Sequence, residues 1–123
     1  MKVFILFAMV FCHIVDDYYL QGILASMKQR KWWKENAPDE LYKHDYIIAL
    51  IMHAFSWSFM ISIPLLFVSK QYLIISTFIV VNTVLHACVD NLKANKHRIN
   101  LVQDQLYHVA QIFALWIAVC PLI

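Results

Sequence analysis

Hydrophobic residues along this chain fall into four runs separated by short polar stretches. The runs extend from about Val3 to Met27, Tyr46 to Ser69, Tyr72 to Leu92, and Asp104 to Ile123. Each is close to the roughly 20 residues that a helix needs to cross the hydrocarbon core of a bilayer. The separators are KQRKWWKENAPDELYKHD, the pair Lys70 and Gln71, and KANKHRINLVQ. The pattern predicts an all-α fold, a four-transmembrane-helix bundle, forming one integral membrane domain over residues 1–123. Pro64 falls inside the second run and predicts a kink there, which a packed bundle tolerates.

Composition supports this division. The chain is 62% hydrophobic, with a mean hydropathy of +0.61, whereas a soluble domain lies nearer one half apolar. One Gly and three Pro leave little room for sheet turns or long loops. The first run resembles a signal peptide at Lys2 and Val3 to Cys12. His13, Asp16 and Asp17 then interrupt it where a small-residue cleavage site would be needed, so it reads as a retained transmembrane helix. Cys12, Cys88 and Cys120 all lie in apolar context and read as reduced, buried thiols.

A net charge of +2 gives no reason to expect nucleic acid as a partner. The positions of the charges are more informative. Lys28, Arg30, Lys31, Lys34 and Lys43 fill the first polar stretch, and Lys93, Lys96 and Arg98 fill the last. Only Lys2 and Lys70 fall on the other side. The positive-inside rule then places both long loops in the cytoplasm and both termini outside, in an inner-membrane multi-pass protein. Trp32 and Trp33 read as interfacial anchors, on a short amphipathic helix or without one.

The chemistry lies in the polar residues inside the runs. His13 precedes Asp17 by four positions, His86 precedes Asp90 by four, Asp104 precedes His108 by four, and His53 stands alone in the second run. A spacing of four puts both side chains on one helical face. Ionisable groups at the bilayer centre cost about 3 kcal/mol each on insertion scales, so this many are expected to form one shared site. At 1.5 Å per residue, Asp17, His53, His86 and His108 all lie roughly 6–15 Å below the cytoplasmic helix ends. The outer half has only scattered Ser56, Ser58, Ser62, Ser76, Thr77 and Asn82.

HIVDDYYLQ at 13–21, His53, HACVDNLK at 86–93 and DQLYH at 104–108 together resemble a family of small bacterial and phage integral membrane proteins catalogued as domain of unknown function 3307. The resemblance spans nearly the whole chain. It implies a membrane protein with a shared polar site and carries no activity with it. That family usually has a small residue where this chain has Asp16, which assigns Asp17 and not Asp16 to the site.

An imidazole and a carboxylate one turn apart can reach one ion, or the carboxylate can orient the imidazole. His13, Asp17, His86, Asp90 and His108 are therefore the candidate ligands of a divalent metal, zinc foremost. The bland reading of each pair is a hydrogen bond that pins two helices. His53 and Asp104 are candidate proton carriers, and Asp104 doubles as a candidate N-cap of the fourth helix. Lys93, Gln21 and Gln105 are candidate substrate contacts, with Lys93 as an anion clamp or simply a snorkelling lysine. His44 and His97 lie in the polar stretches and read as solvated. No nucleotide loop, nucleophile elbow or H-E-x-x-H is present, and the only glutamates, Glu35 and Glu40, are misplaced for a di-iron bundle.

Two functions follow. One is a membrane metal-dependent hydrolase taking an anionic, lipid-like or amphiphilic substrate from the cytoplasmic leaflet, similar by fold-level analogy to membrane-bound metal-dependent hydrolases. The other is a small transporter or proton pathway built on the same His/Asp cluster, for which four short helices would need a homo-oligomer. The first is favoured, because a pathway should carry polar groups through both halves of the membrane.

Overall fold

The computed structural model describes residues 1–123. It contains helices and turns and no strand. Helix α1 covers Lys2–Val15 and continues as a π-helical turn, Asp16–Leu20. Two short helices follow, α2 (Leu24–Met27) and α3 (Arg30–Asn36). The long helices are α4 (Asp45–Val68), α5 (Tyr72–Ala94) and α6 (Leu101–Val119). Four segments, Lys2–Leu20, Glu40–Val68, Tyr72–Ala94 and Leu101–Leu122, are long and apolar enough to cross a bilayer. This is the architecture of a multi-pass membrane protein.

The distribution of surface and interior supports that placement. Phe4, Phe7, Phe11, Phe67, Leu73 and Val80 are among many large apolar side chains left exposed, while nearly half of the 27 buried residues are polar or charged. Water would penalise such an exterior, since a soluble fold does not expose large contiguous apolar faces. Hydrocarbon would not.

The long helices form a closed ring: α1 packs on α4, α4 on α5, α5 on α6, and α6 back on α1. The two ends of the bundle differ. Trp116 Nε1 donates to the Lys2 carbonyl at the end holding the termini. At the other end the two long polar loops meet, where the Arg30 amide donates to Asn95 Oδ1 at 2.7 Å and Asn95 Nδ2 donates to the Lys28 carbonyl at 3.0 Å. Nearer the termini the ring is filled by an apolar core of Ile5, Met9, Ile61, Leu65, Ile75, Ile112, Leu115 and Val119, with Trp57 as its largest member.

The first hydrophobic run is not one helix to Met27, as its apolar pattern predicts. It stops at Leu20, and Gly22 takes φ +54°. This left-handed conformation is open to glycine and costly for side chains with a Cβ. Gly22 is the only glycine in the chain; beyond it α2 packs on α4, and Lys28, the residue that caps its C-terminus, is buried. The fourth run also begins earlier than expected. Asn100 caps α6 in a reciprocal box with Gln103, the arrangement in which each side chain satisfies the other's free amide. Asp104 is therefore not the N-cap but a buried residue inside the helix. Trp32 and Trp33 lie on α3, the short helix left open by the sequence. Cys12 is half-buried and Cys120 buried, but Cys88 is exposed, against the expectation of three buried thiols.

The turn at Gly22 yields a test. Gly22→Ala should destabilise the protein by about 1 kcal/mol, and Gly22→Asn by less, because Asn tolerates the left-handed region. Equal stability of all three in detergent unfolding would mean that the turn relaxes freely.

Candidate metal centre

α5 supplies the centre of the polar half. Asp90 and His86, one turn apart, are both fully buried. Asp90 Oδ2 accepts from Lys28 Nζ at 2.6 Å and faces His53 Nε2 at 3.4 Å. Its other oxygen faces His108 Nε2 at 3.5 Å and His86 Nε2 at 3.8 Å. One carboxylate thus touches groups from α2, α4, α5 and α6.

α4 contributes His53, whose Nε2 lies 3.1 Å from His86 Nε2 and 3.2 Å from Asp17 Oδ1. Its Nδ1 faces Asp16 Oδ2 at 3.7 Å, beyond hydrogen-bond length. Asp16 is held in place by the Ser56 hydroxyl, which donates to Oδ1 at 2.6 Å. Asp16 therefore belongs to the cluster, contrary to the assignment of Asp17 alone. Ser56 likewise serves the cluster rather than the opposite half. On a regular α-helix consecutive residues point about 100° apart. The π-helical turn widens the helix at this point, and both carboxylates face His53.

α6 contributes Asp104 and His108, again one turn apart, with 3.3 Å between Asp104 Oδ1 and His108 Nε2. Asp104 Oδ2 accepts from Lys93 Nζ at 2.6 Å and from Gln105 Nε2 at 3.1 Å. The rings of His86 and His108 stack with centroids 4.0 Å apart, and Trp57 stacks on His86 at 4.2 Å. Trp57 thus forms the floor between the polar half and the apolar core. A side branch runs from His108 to Gln111 and on to Asn82.

The sequence candidates now separate by what their atoms already do. Two overlapping groups have geometry that could hold a metal ion, Asp17 with His53 and His86, and His86 with Asp90 and His108. His13 is buried beside them, but both its ring nitrogens are engaged. Trp57 Nε1 donates to Nδ1 at 2.8 Å, so Nε2 carries the proton towards Gln105 Oε1 at 3.0 Å. His13 is thus held between Trp57 and Gln105 beside the two donor groups and belongs to neither, whereas His53, expected as a proton carrier, belongs to one of them. Gln105 bridges His13 and Asp104. Gln21 donates to the Asp17 carbonyl at 2.9 Å and steadies the end of the first helix. Lys93, one third exposed, is paired with Asp104.

Spacing and charge both test whether an ion fits. Zn–N and Zn–O bonds are roughly 2.0–2.2 Å, so neighbouring donors of a tetrahedral ion lie about 3.3 Å apart. The distances from His53 Nε2 to His86, Asp17 and Asp90, 3.1, 3.2 and 3.4 Å, fall at that value. Four carboxylates, Asp16, Asp17, Asp90 and Asp104, are enclosed with only two ammonium groups, Lys28 and Lys93. The imidazoles of His53, His86 and His108 face the same carboxylates. Asp16 Oδ2, His86 Nδ1 and Asp104 Oδ1 are also buried without a hydrogen-bond partner.

Lys28 was missed in the sequence, where it reads as one of five loop cations. Its signal was the lone glycine six residues earlier. A break there returns the following turn to the bundle.

The family model described as protein of unknown function (DUF3307) matches residues 5–123. The chain belongs to this family. No curated protein and no solved structure matches it. In this DUF3307 protein the residues of all three four-residue motifs, with His53, lie in one buried cluster.

Breaking the Lys28–Asp90 pair should be costly, because both side chains are over nine-tenths buried. Lys28→Met should destabilise the protein by about 3 kcal/mol or more, and the double variant Lys28→Met/Asp90→Leu by less, since no unpaired charge remains. A single variant no less stable than the double, in detergent denaturation, would show that the pair does not hold α2 to the bundle.

Proposed function

We propose that this protein is a membrane-embedded metal-dependent hydrolase that takes an amphiphilic substrate from the leaflet beside its two polar loops. The observation that carries this reading is the group of Asp17, His53 and His86, whose donor atoms lie close enough together to share one ion. Asp17, His53 and His86 are the residues that would hold the ion, with Asp90 beside them. Mixed imidazole and carboxylate donors without thiolate suit zinc among the divalent metals. A divalent ion in such a site supplies Lewis-acid polarisation and a hydrolytic nucleophile at neutral pH.

The other residues have roles that follow from their contacts. Asp16 faces the far nitrogen of His53, the usual position of a carboxylate that orients a ligating imidazole. His108 and Asp104, 3.3 Å apart, form the pair that would move a proton beside the ion. Lys93 is the cluster's partly exposed cation, placed to meet an anionic substrate group once it exchanges Asp104 for that group. Trp57 and the apolar core below it exclude water from the far side.

The same features weigh against transport. Polar residues continue beyond the cluster only as far as Gln111 and Asn82. Ser58 and Ser62 donate to carbonyls of their own helix, at Ala54 and Ser58. The packed Ile61, Leu65, Ile75, Leu115 and Val119 then close the bundle.

Metal analysis of the purified protein tests the reading. One equivalent of zinc or a similar ion is expected, lost in His86→Gln and retained in Lys93→Ala, which should impair turnover instead. Because ligands must be deprotonated, affinity should be full above the histidine range and fall as the pH drops through it. Failure of any divalent ion to copurify, together with a melting temperature that zinc leaves unchanged, would remove the metalloenzyme.

Orientation has its own check. In a background lacking the native cysteines, a cysteine at position 36 should be shielded from an impermeant outside reagent and one at position 70 labelled, following the Lys/Arg asymmetry. The reverse pattern would place the cluster in the outer leaflet.

A further inference from the structure

Two openings meet at Tyr46, at the end of the bundle that carries the polar loops. The first is a cleft of about 330 Å³ between α3 and the start of α4, whose lining includes Arg30, Trp33, Lys34, Tyr42, Lys43 and His44. The second is a groove of about 250 Å³ between α4 and α5, lined by Tyr46, Ile47, Leu50, Ile51, Ala87, Cys88 and Asn91. Tyr46 lines both. Its ring lies under the Arg30 guanidinium, 4.6 Å from the centroid, and its hydroxyl accepts a hydrogen bond from the same group.

The linings differ as the two ends of a lipid differ. The cleft is cationic and aromatic, and the groove is apolar apart from Asn91 and the Tyr46 hydroxyl. Within the cleft Lys43 is already paired with Glu40 at 3.2 Å. Arg30, Lys34 and His44 have no acidic partner, and Asp39, which lines the same cleft, has no cation. Two free cations, Arg30 and Lys34, an imidazole and one free carboxylate in one cleft match a phosphodiester that carries a primary ammonium. The groove begins where the cleft ends and follows α4 and α5 along the direction an acyl chain takes in a leaflet. Both openings lie outside the His/Asp cluster.

We infer that the Tyr46 junction is a binding site for one aminophospholipid of the surrounding leaflet. Its phosphate sits with Arg30, Lys34 and His44, its ammonium with Asp39, and one acyl chain in the α4–α5 groove. The inference stands apart from the metal reading, since none of the proposed ligands lines either opening.

The test is native mass spectrometry of the full chain in detergent, titrated with phosphatidylethanolamine, phosphatidylglycerol or phosphatidylcholine. One phosphatidylethanolamine should be retained per chain, about tenfold more tightly than the other two, the scale of one charge-assisted hydrogen bond. Lys34→Ala/His44→Ala, at exposed positions, should weaken retention of every phospholipid. Asp39→Asn should abolish the preference for phosphatidylethanolamine over phosphatidylglycerol. Ala87→Trp, which fills the groove, should weaken the lipid but leave soluble phosphoethanolamine unaffected. Equal retention of all three lipids, or competition by inorganic phosphate or phosphoethanolamine at concentrations matching the lipid, would overturn the inference. His86→Gln should retain the lipid whether or not it loses metal. Loss of lipid in that variant, with its helical content intact, would overturn the separation of the two sites.

Discussion

Four carboxylates enclosed by four apolar helices set the terms for the rest of this structure. Each needs positive charge or hydrogen-bond donors nearby, because an unpaired buried charge costs several kcal/mol even after relaxation. Asp90 is the hub, within 4 Å of Lys28, His53, His86 and His108. The irregular features of the fold serve this requirement. The turn at Gly22 delivers Lys28, the π-helical turn directs both Asp16 and Asp17 inward, and the last turns of α5 carry Lys93 to Asp104. A regular bundle of four straight helices would leave these carboxylates with histidines alone.

What was legible in the sequence followed the regular parts of the chain. Hydrophobic run length revealed the four spans, and four-residue spacing revealed that His86 shares a face with Asp90, and Asp104 with His108. Both rest on helical periodicity, which holds through α5 and α6. Legibility failed where periodicity fails. Asp16 was set aside on the resemblance, which has a small residue there, and a regular helix would also point it about 100° away from Asp17; the π-helical turn turns both inward. Lys28 was hidden because the first run continues in apolar residues past the break, and composition cannot distinguish a straight helix from one that turns back. The role of His13 was unreadable for another reason. Its partner Trp57 lies 44 residues away on α4, and no local pattern announces that an indole N–H will occupy its nitrogen.

Trp57 shows how packing and chemistry divide the molecule. Its ring is fully buried, stacks on His86 and donates to His13, yet it also belongs to the apolar core. An indole suits this boundary, having a large apolar body with one donor at its edge. Toward the termini the core beyond it is aliphatic, with Ser58, Ser62, Asn82 and Gln111 buried alongside; toward the loops lie the buried histidines, aspartates and Lys28, alongside Tyr46, Ala49, Leu50 and Ala54. The asymmetry places the polar cluster toward the loop end of the bundle and the aliphatic packing toward the termini.

The presence of Lys28 on Asp90 bears on how the cluster could hold an ion at all. An ammonium at 2.6 Å is the strongest contact Asp90 makes, and it might be taken to compete with a metal for the same carboxylate. The carboxylate has two oxygens and about four acceptor positions, and Lys28 uses one position on Oδ2. The rest of Asp90 still faces His53, His86 and His108. Lys28 therefore fixes the plane of the carboxylate and leaves donor capacity directed at the imidazoles. Hydrogen-bond donors on ligating carboxylates commonly act in this way outside a metal's own ligands. Lysine, with a compact charge on a flexible stem, can do this from α2 without belonging to any of the four membrane-spanning helices. The turn at Gly22 thus has a physical consequence. It brings positive charge to Asp90 from outside the ring, so the faces of α4, α5 and α6 remain free for histidine and aspartate.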